Sequence, residues 1–102
     1  MYKKKVIELI FSAVGEINKR LPENGQIEQS IKTVLFGENG KLDSLGLVNL
    51  IVAIEQNIED EFEQSIIIAD ERAMSQKRSP FRTIDSLADY IDILMQENQI
   101  SM

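Results

Sequence analysis

Residues 40–50 read GKLDSLGLVNL, a glycine-containing loop that runs into an amphipathic pattern with a serine at the junction. An acid and a serine directly before an apolar helical pattern are typical of a helix N-terminus. We predict that this helix begins at Asp43 or Ser44 and ends at about Asp60. Its predicted buried stripe consists of Leu47, Leu50, Ile51, Ile54, Ile58 and Phe62.

This helix has a wider apolar arc than a one-sided core requires. Leu45, Val48 and Val52 extend the arc beyond the buried stripe, over more than half of the helix circumference. Two explanations stay open at this point. The additional residues either meet a partner protein or are covered by a long loop of the chain itself.

The sequence on both sides predicts further helices. Apolar residues recur at helical spacing from Lys4 to Leu21, where proline follows. A last helix is predicted over 84–96, and residues 98–102 are predicted to fray. The predicted buried residues are Val6, Leu9, Ile10, Ala13, Val14 and Ile17 in the first helix and Ile84, Leu87, Ala88, Ile91, Leu94 and Met95 in the last.

Two connections join these helices, one before and one after the second helix. Residues 22–41 hold one proline and three glycines, and their apolar residues indicate a long connection packed on the core, with a helical turn at 28–33. The apolar run at 65–69 is too short to distinguish a strand from an extended loop, and residues 70–74 are predicted to form a short helix. The chain is therefore predicted to be all-α, a single domain over 1–102 built as a four-helix bundle with three longer helices and one short one.

The chain contains neither cysteine nor histidine. Without cysteine it has no disulfides or thiolate metal sites, and without histidine it lacks the usual general base and the commonest zinc ligand. Acids at 59–63 lack the ligand pattern of a calcium loop. We therefore predict no catalytic residue, no metal site and no enzymatic activity, and expect any thiol or acyl chemistry to be carried by an attached group.

The charge is unevenly distributed along the chain. The formal net charge is −6, yet residues 42–71 contain eight acids and no lysine or arginine, a local charge of −8. Such a surface repels nucleic acid and attracts a basic protein patch. A solvated acidic helix face and a docking site for a basic partner are both compatible with this pattern.

Three consecutive lysines at 3–5 are interpreted as a solvated turn that opens the first helix. They do not begin a signal peptide, because glutamates interrupt the apolar run that follows. No apolar run reaches transmembrane length. We expect a cytoplasmic monomer with no membrane or nucleic-acid partner.

Asp-Ser-Leu occurs twice, at 43–45 and 85–87, each time near a predicted helix start. A serine in the first turn of a helix lies beside backbone N–H groups without intrahelical partners, where a phosphodiester is electrostatically favoured. Serine is also a common helix cap, so the tripeptide alone is weak evidence. The context favours Ser44, which follows the long loop and has Gly46 to leave open space beside it. Ser86 is interpreted as part of an ordinary capped helix.

Together, four stretches resemble the acyl carrier protein family: 42–50, 54–55, 61–62 and 83–91. The resemblance spans residues 1 to about 95, and its core is the aspartate-serine-leucine signature at the start of the second helix. It implies that Ser44, flanked by Asp43 and Leu45, bears a phosphopantetheine arm transferred from coenzyme A by a phosphopantetheinyl transferase. Acyl or aminoacyl intermediates would be held on that arm as thioesters.

The resemblance also implies which surface meets acyl-loading and acyl-transferring enzymes with basic docking patches. That surface on the second helix comprises Val48, Asn49, Val52, Glu55, Gln56 and Glu59. Asn49 and Gln56 are neutral where housekeeping fatty-acid carriers usually present glutamate, which implies a different set of partner enzymes. Residues 79–83 look more like those of specialised carriers, and the pathway stays open. The alternative from a different class is an unmodified acidic helical adaptor that binds a basic protein partner.

Overall fold

The computed structural model describes residues 2–21, 26–36, 40, 42–68 and 80–100. Within these ranges the chain is all-helical, with α1 at Lys3–Asn18, α2 at Ser44–Phe62 and α3 at Ile84–Ile100. Helix α1 packs along both α2 and α3. In the same ranges, no helix is long and apolar enough to cross a bilayer.

Two predicted elements between α2 and α3 have different outcomes. The apolar run that begins at residue 65 is extended chain without strand pairing as far as residue 67, which resolves the alternative in favour of a loop. The predicted short helix at 70–74 lies outside the described residues.

The three helices share one apolar core, and most of the residues predicted to be buried belong to it. All six predicted residues of α3 are buried, and so are those of α2 except Phe62, which is half-buried. In α1, Leu9 and Ile17 are half-buried and the other four are buried. The sequence did not single out five further buried residues: Leu42, Ile68, Pro80, Phe81 and Tyr90.

Helix α1 ends at Asn18, three residues before the predicted end at Leu21. The Asn18 side chain makes two hydrogen bonds with the backbone of Ile27: its Nδ2 donates to the carbonyl at 2.8 Å, and its Oδ1 accepts from the N–H at 2.7 Å. The amide that ends the helix therefore also anchors the connection that follows.

Helix α3 is longer than predicted, since it continues from Gln96 to Ile100. No glycine or proline interrupts this stretch, so the sequence offers no stop signal there. Residues 98–100, predicted to fray, are helical, and residues 101–102 lie outside the described ranges.

The connection between α1 and α2 is tied to the start of α3. Val34 and Thr83 form an antiparallel bridge, and the Leu35 N–H donates to the carbonyl of Arg82 at 2.7 Å. Leu35 is buried, as predicted for a packed connection, whereas Ile31 is exposed. Residues 30–33 form a hydrogen-bonded turn instead of the predicted helical turn.

Two of the three lysines that open α1 form ion pairs, whereas Lys4 is exposed, so the prediction of a solvated turn is wrong for Lys3 and Lys5. Lys3 Nζ lies 2.8 Å from carboxylate oxygens of both Asp85 and Asp89 on α3, and Lys5 Nζ lies 2.7 Å from Glu61 on α2. Hydrogen bonds, first to Asp85 and then to Asp89, raise the pKa of Lys3 well above its ordinary range. Positive charge at a helix N-terminus opposes the helix dipole, and these acids from the neighbouring helices offset it.

Candidate functional site at the start of helix α2

Helix α2 is capped by Asp43, one residue before Ser44. The Asp43 backbone is extended, with φ −85° and ψ −177°, and its Oδ1 accepts a hydrogen bond from the Gly46 N–H at 2.7 Å. Its carbonyl accepts the first helical bond, from Leu47, at 2.9 Å. Ser44 is the first helical residue, so the capping role that the sequence allowed for this serine is filled by its neighbour.

Gly46 lies close to the Asp43 cap. A Cβ at this position would lie 3.1 Å from both Asp43 Oδ1 and Leu42 Cδ2. A side chain at residue 46 would thus press against the capping carboxylate and a buried leucine. Glycine is suited to this position because it lets Asp43 close onto the first turn.

The second Asp-Ser-Leu serine belongs to a reciprocal cap. Ser86 Oγ accepts from the Thr83 N–H at 3.1 Å, and Thr83 Oγ1 accepts from the Ser86 N–H at 3.0 Å. This is the arrangement of a capping box, with serine at the position that glutamate usually holds. The Ser86 hydroxyl also donates to the carbonyl of Pro80 at 2.9 Å. The interpretation of Ser86 as part of a capped helix start is confirmed.

The N–H groups at the start of α3 are also in use. The Ile84 N–H donates to the Thr33 carbonyl at 3.2 Å, and the Asp85 N–H donates to the Ile31 carbonyl at 2.9 Å. The connection between α1 and α2 therefore covers this helix start. An anion at the N-terminus of α3 would have to compete with these carbonyls for the same donors.

The outer face of α2 is apolar and exposed near Ser44. Leu45 is 70% exposed, Val48 52% and Val52 57%. Their spacing of three and seven residues puts them in one stripe, which we call the α2 stripe. Asn49, Gln56 and Glu59 are also exposed. The described part of the chain leaves Leu45, Val48 and Val52 of the wide apolar arc exposed.

Glu55 differs from the other predicted partner-facing residues. It is half-buried, and its Oε2 accepts a hydrogen bond from the Ile68 N–H at 2.8 Å. Gln56, by contrast, bonds only along its own helix in the contacts observed, through Nε2 to Asp60 Oδ1 at 3.2 Å. The Glu55 carboxylate is thus engaged inside the molecule.

Sequence reasoning missed Ile67. It is 71% exposed, between half-buried Ile66 and buried Ile68. The available signal was the alternation that an extended segment imposes on three successive isoleucines, but three residues are too few to establish a period.

A shallow groove of about 250 Å³ lies between α1 and α2, on another side of α2. Its lining consists of Leu9, Ser12, Asn57, Asp60 and Glu61. The Asn57 side chain donates to the Leu9 carbonyl at 3.2 Å and links the two helices there. None of the predicted site residues lines this groove.

No protein-family model matches the chain, and no curated protein or solved structure matches it at a significant level. The helix start at Ser44 and the exposed face of α2 are the structural features that bear on its function.

Proposed function

We propose that the protein is an acyl carrier that holds acyl or aminoacyl intermediates as thioesters on a phosphopantetheine arm at Ser44. The observation that carries the proposal is the contrast between the two helix starts. At α2 the aspartate is the cap and the serine is the first helical residue, next to exposed Leu45. At α3 the hydroxyl of Ser86 is part of the capping hydrogen bonds.

The start of α2 fits a phosphodiester on physical grounds. The first turn of a helix has N–H groups without intrahelical partners and the positive end of the dipole, and both favour an anion. Asp43 takes the Gly46 N–H and thereby fixes the helix start at Ser44. When bound, the arm supplies the thiol, which this cysteine-free chain does not have.

The exposed face of α2 is proposed to meet the enzymes that load, modify and unload the carrier. Val48 and Val52 supply apolar contact, and Glu59 supplies negative charge that attracts basic docking patches. Brief docking on several partners is better served by charge attraction and a small apolar stripe than by a large apolar interface. Neutral Asn49 and Gln56 support a specialised carrier over a housekeeping one.

The complete architecture is part of the same proposal. Helices α1, α2 and α3 are the three longer helices of a four-helix bundle, and residues 70–74 form the short one. We propose that this carrier acts in the cytoplasm as a monomer.

Intact mass measurement tests the proposal directly. The protein is incubated with coenzyme A and a broad-specificity phosphopantetheinyl transferase, and we expect a mass gain of one arm. Ser44→Ala should abolish the gain, whereas Ser86→Ala and Ser65→Ala should retain it, with circular dichroism verifying that each variant is folded. A wild-type protein that stays unmodified would contradict the proposal and favour the acidic adaptor. A mass gain in Ser44→Ala would show that the arm is attached to another residue.

A further inference from the structure

The hydrogen bond between Glu55 and Ile68 ties the segment after α2 back onto the helix. It links residues 13 apart in sequence, from the fourth turn of α2 to a segment without helix or strand. Next to the bond the chain alternates as an extended segment does, with Ile66 half-buried, Ile67 exposed and Ile68 buried. The Glu55 carboxylate thus holds this segment at a defined point.

That point adjoins the α2 stripe. Glu55 follows Val52 by three residues and precedes Glu59 by four, so the three side chains are neighbours on the helix surface. The peptide group that joins Ile67 to Ile68 contains the N–H bonded to Glu55, so the backbone at Ile67 adjoins a carboxylate that neighbours Val52 on the helix surface. Along the helix axis, Glu55 lies about 16 Å from Ser44.

We propose that Ile67 forms the far end of the apolar surface that docks the phosphopantetheinyl transferase, and that Glu55 is a positioning residue for Ile67. This inference rests on the proposed function. The occupant is a protein surface with an apolar patch edged by basic side chains. Charge complementarity supports that choice, because exposed Asp43, the cap of α2, and exposed Glu59 lie near the two ends of the stripe, and residues 42–68 contain no lysine or arginine.

Single exposed apolar residues are common on protein surfaces and by themselves indicate nothing. Ile67 differs because it extends a stripe that already contains Leu45, Val48 and Val52, each more than half exposed. A half-buried carboxylate holds the backbone at the following residue. The inference gives Glu55 and Glu59 separate roles, since only Glu59 keeps an exposed side chain for charge attraction.

Substitution of Glu55 by Gln or Ala separates positioning from charge. Gln removes the charge but keeps an oxygen that can accept from the Ile68 N–H, whereas Ala removes both. Hydrogen exchange of the Ile68 amide, measured by NMR, reports on its hydrogen bond to Glu55 in the absence of a partner protein. We expect exchange to accelerate about tenfold or more in Glu55→Ala and to change little in Glu55→Gln.

The docking role is tested by the rate of Ser44 modification with coenzyme A and the transferase, at low and high salt. Ile67→Ser and Glu55→Ala should slow the reaction about three- to tenfold at both salt concentrations, because an apolar contact is not screened. Glu55→Gln should react at the wild-type rate. The matched control is Ile93→Ser, the same change at an exposed position of α3, which should also leave the rate unchanged.

Distinct results would overturn the inference and the proposed function. If Glu55→Gln and Glu55→Ala slow the modification of Ser44 equally, and high salt relieves the slowing, then the charge of Glu55 takes part in docking. That result would overturn the positioning role of Glu55. A wild-type rate for Ile67→Ser, with wild type normally modified at Ser44, would remove Ile67 from the docking surface. An unmodified wild type would overturn the proposed function and the docking role together, whatever the exchange rate of the Ile68 amide.

Discussion

Asp43 accepts a 2.7 Å hydrogen bond from the backbone of Gly46, and this bond assigns the cap of α2 to the acid instead of the serine beside it. At α3 the residues of the same tripeptide occupy different positions relative to the helix start. There Thr83 is the cap, so Ser86 is the third helical residue and takes part in the capping box. The two serines are therefore equivalent in local sequence but not in helix position, and helix capping explains only Ser86.

The first prediction concerns the cap of α2. Asp43→Ala removes the acceptor of the Gly46 N–H and should lower the free energy of unfolding by about 1 kcal/mol, as loss of a good N-cap does. Asp43→Asn keeps a side-chain acceptor and should retain most of the stability. Urea denaturation measures both variants, and equal loss in the two would show that the carboxylate charge matters more than the capping bond.

The second prediction concerns the cap of α3. Ser86→Ala leaves the Thr83 N–H and the Pro80 carbonyl without their partner, which should cost about 1–2 kcal/mol of unfolding free energy. Ser65→Ala, at an exposed position, should change stability by less than about 0.5 kcal/mol. Indistinguishable stabilities for the two alanine variants would contradict the structural role of Ser86.

Helical periodicity was sufficient to predict the core stripes, because an apolar face repeats every three to four residues and the core selects that face. It could not choose between Asp43 and Ser44 as the cap of α2, since both residue types are good caps and the choice depends on backbone geometry. At α3 the sequence likewise allowed either Asp85 or Thr83 as the cap, and the structure assigns Thr83.

Contacts between distant parts of the chain could not be predicted from local pattern. The bonds from Asn18 to Ile27 and from Glu55 to Ile68 depend on where two segments meet in space. An asparagine or glutamate in such a bond has the same local sequence signature as a solvated one. For the same reason, Glu55 was predicted to face a partner, although its carboxylate is bonded within the chain.

The third prediction concerns Glu63, which follows α2 with a left-handed backbone, at φ 56° and ψ 32°. This conformation is strained for residues with a side chain, and a negative charge at a helix C-terminus opposes the dipole. Glu63→Gly should therefore raise the free energy of unfolding by about 0.5–1 kcal/mol. Glu63→Gln removes only the charge and should raise the free energy of unfolding by a smaller amount. Destabilisation by glycine in thermal unfolding would contradict the strain argument.

The fourth prediction concerns the pH dependence of the Lys3 contacts. The pKa of Lys3 is raised in the folded protein, so its stabilisation is fully present below the ordinary lysine pKa of about 10.4 and declines above it. Lys3→Met should cost up to about 1 kcal/mol at pH 7, because these contacts are partly exposed and screened. The difference between wild type and variant should stay constant from pH 7 to 10 and shrink at higher pH. Denaturant titrations across that range measure it, and a difference that persists undiminished at pH 11.5 would exclude an electrostatic origin.

The last prediction concerns Glu59, the exposed acid of the α2 face. Glu59→Lys should slow modification of Ser44 by the transferase about threefold or more in about 10 mM salt, because attraction to a basic docking patch becomes repulsion. In about 1 M salt the Debye length falls to about 3 Å, and the two rates should converge. The variant should remain folded, since lysine in the last turn of α2 suits the dipole at that end.

Glu16→Lys is the matched control, because it changes the net charge equally at an exposed position on α1. If the field of the whole molecule attracts the transferase, both variants should slow the reaction to the same extent. If the α2 face is the docking surface, only Glu59→Lys should be slow when the two variants are compared in about 0.1 M salt, where a charge acts over about 10 Å. In about 10 mM salt a charge acts over about 30 Å, which does not separate the two positions. Equal rates for Glu59→Lys and wild type in low salt would remove the electrostatic role of this face, while Ser44 could still be the attachment site.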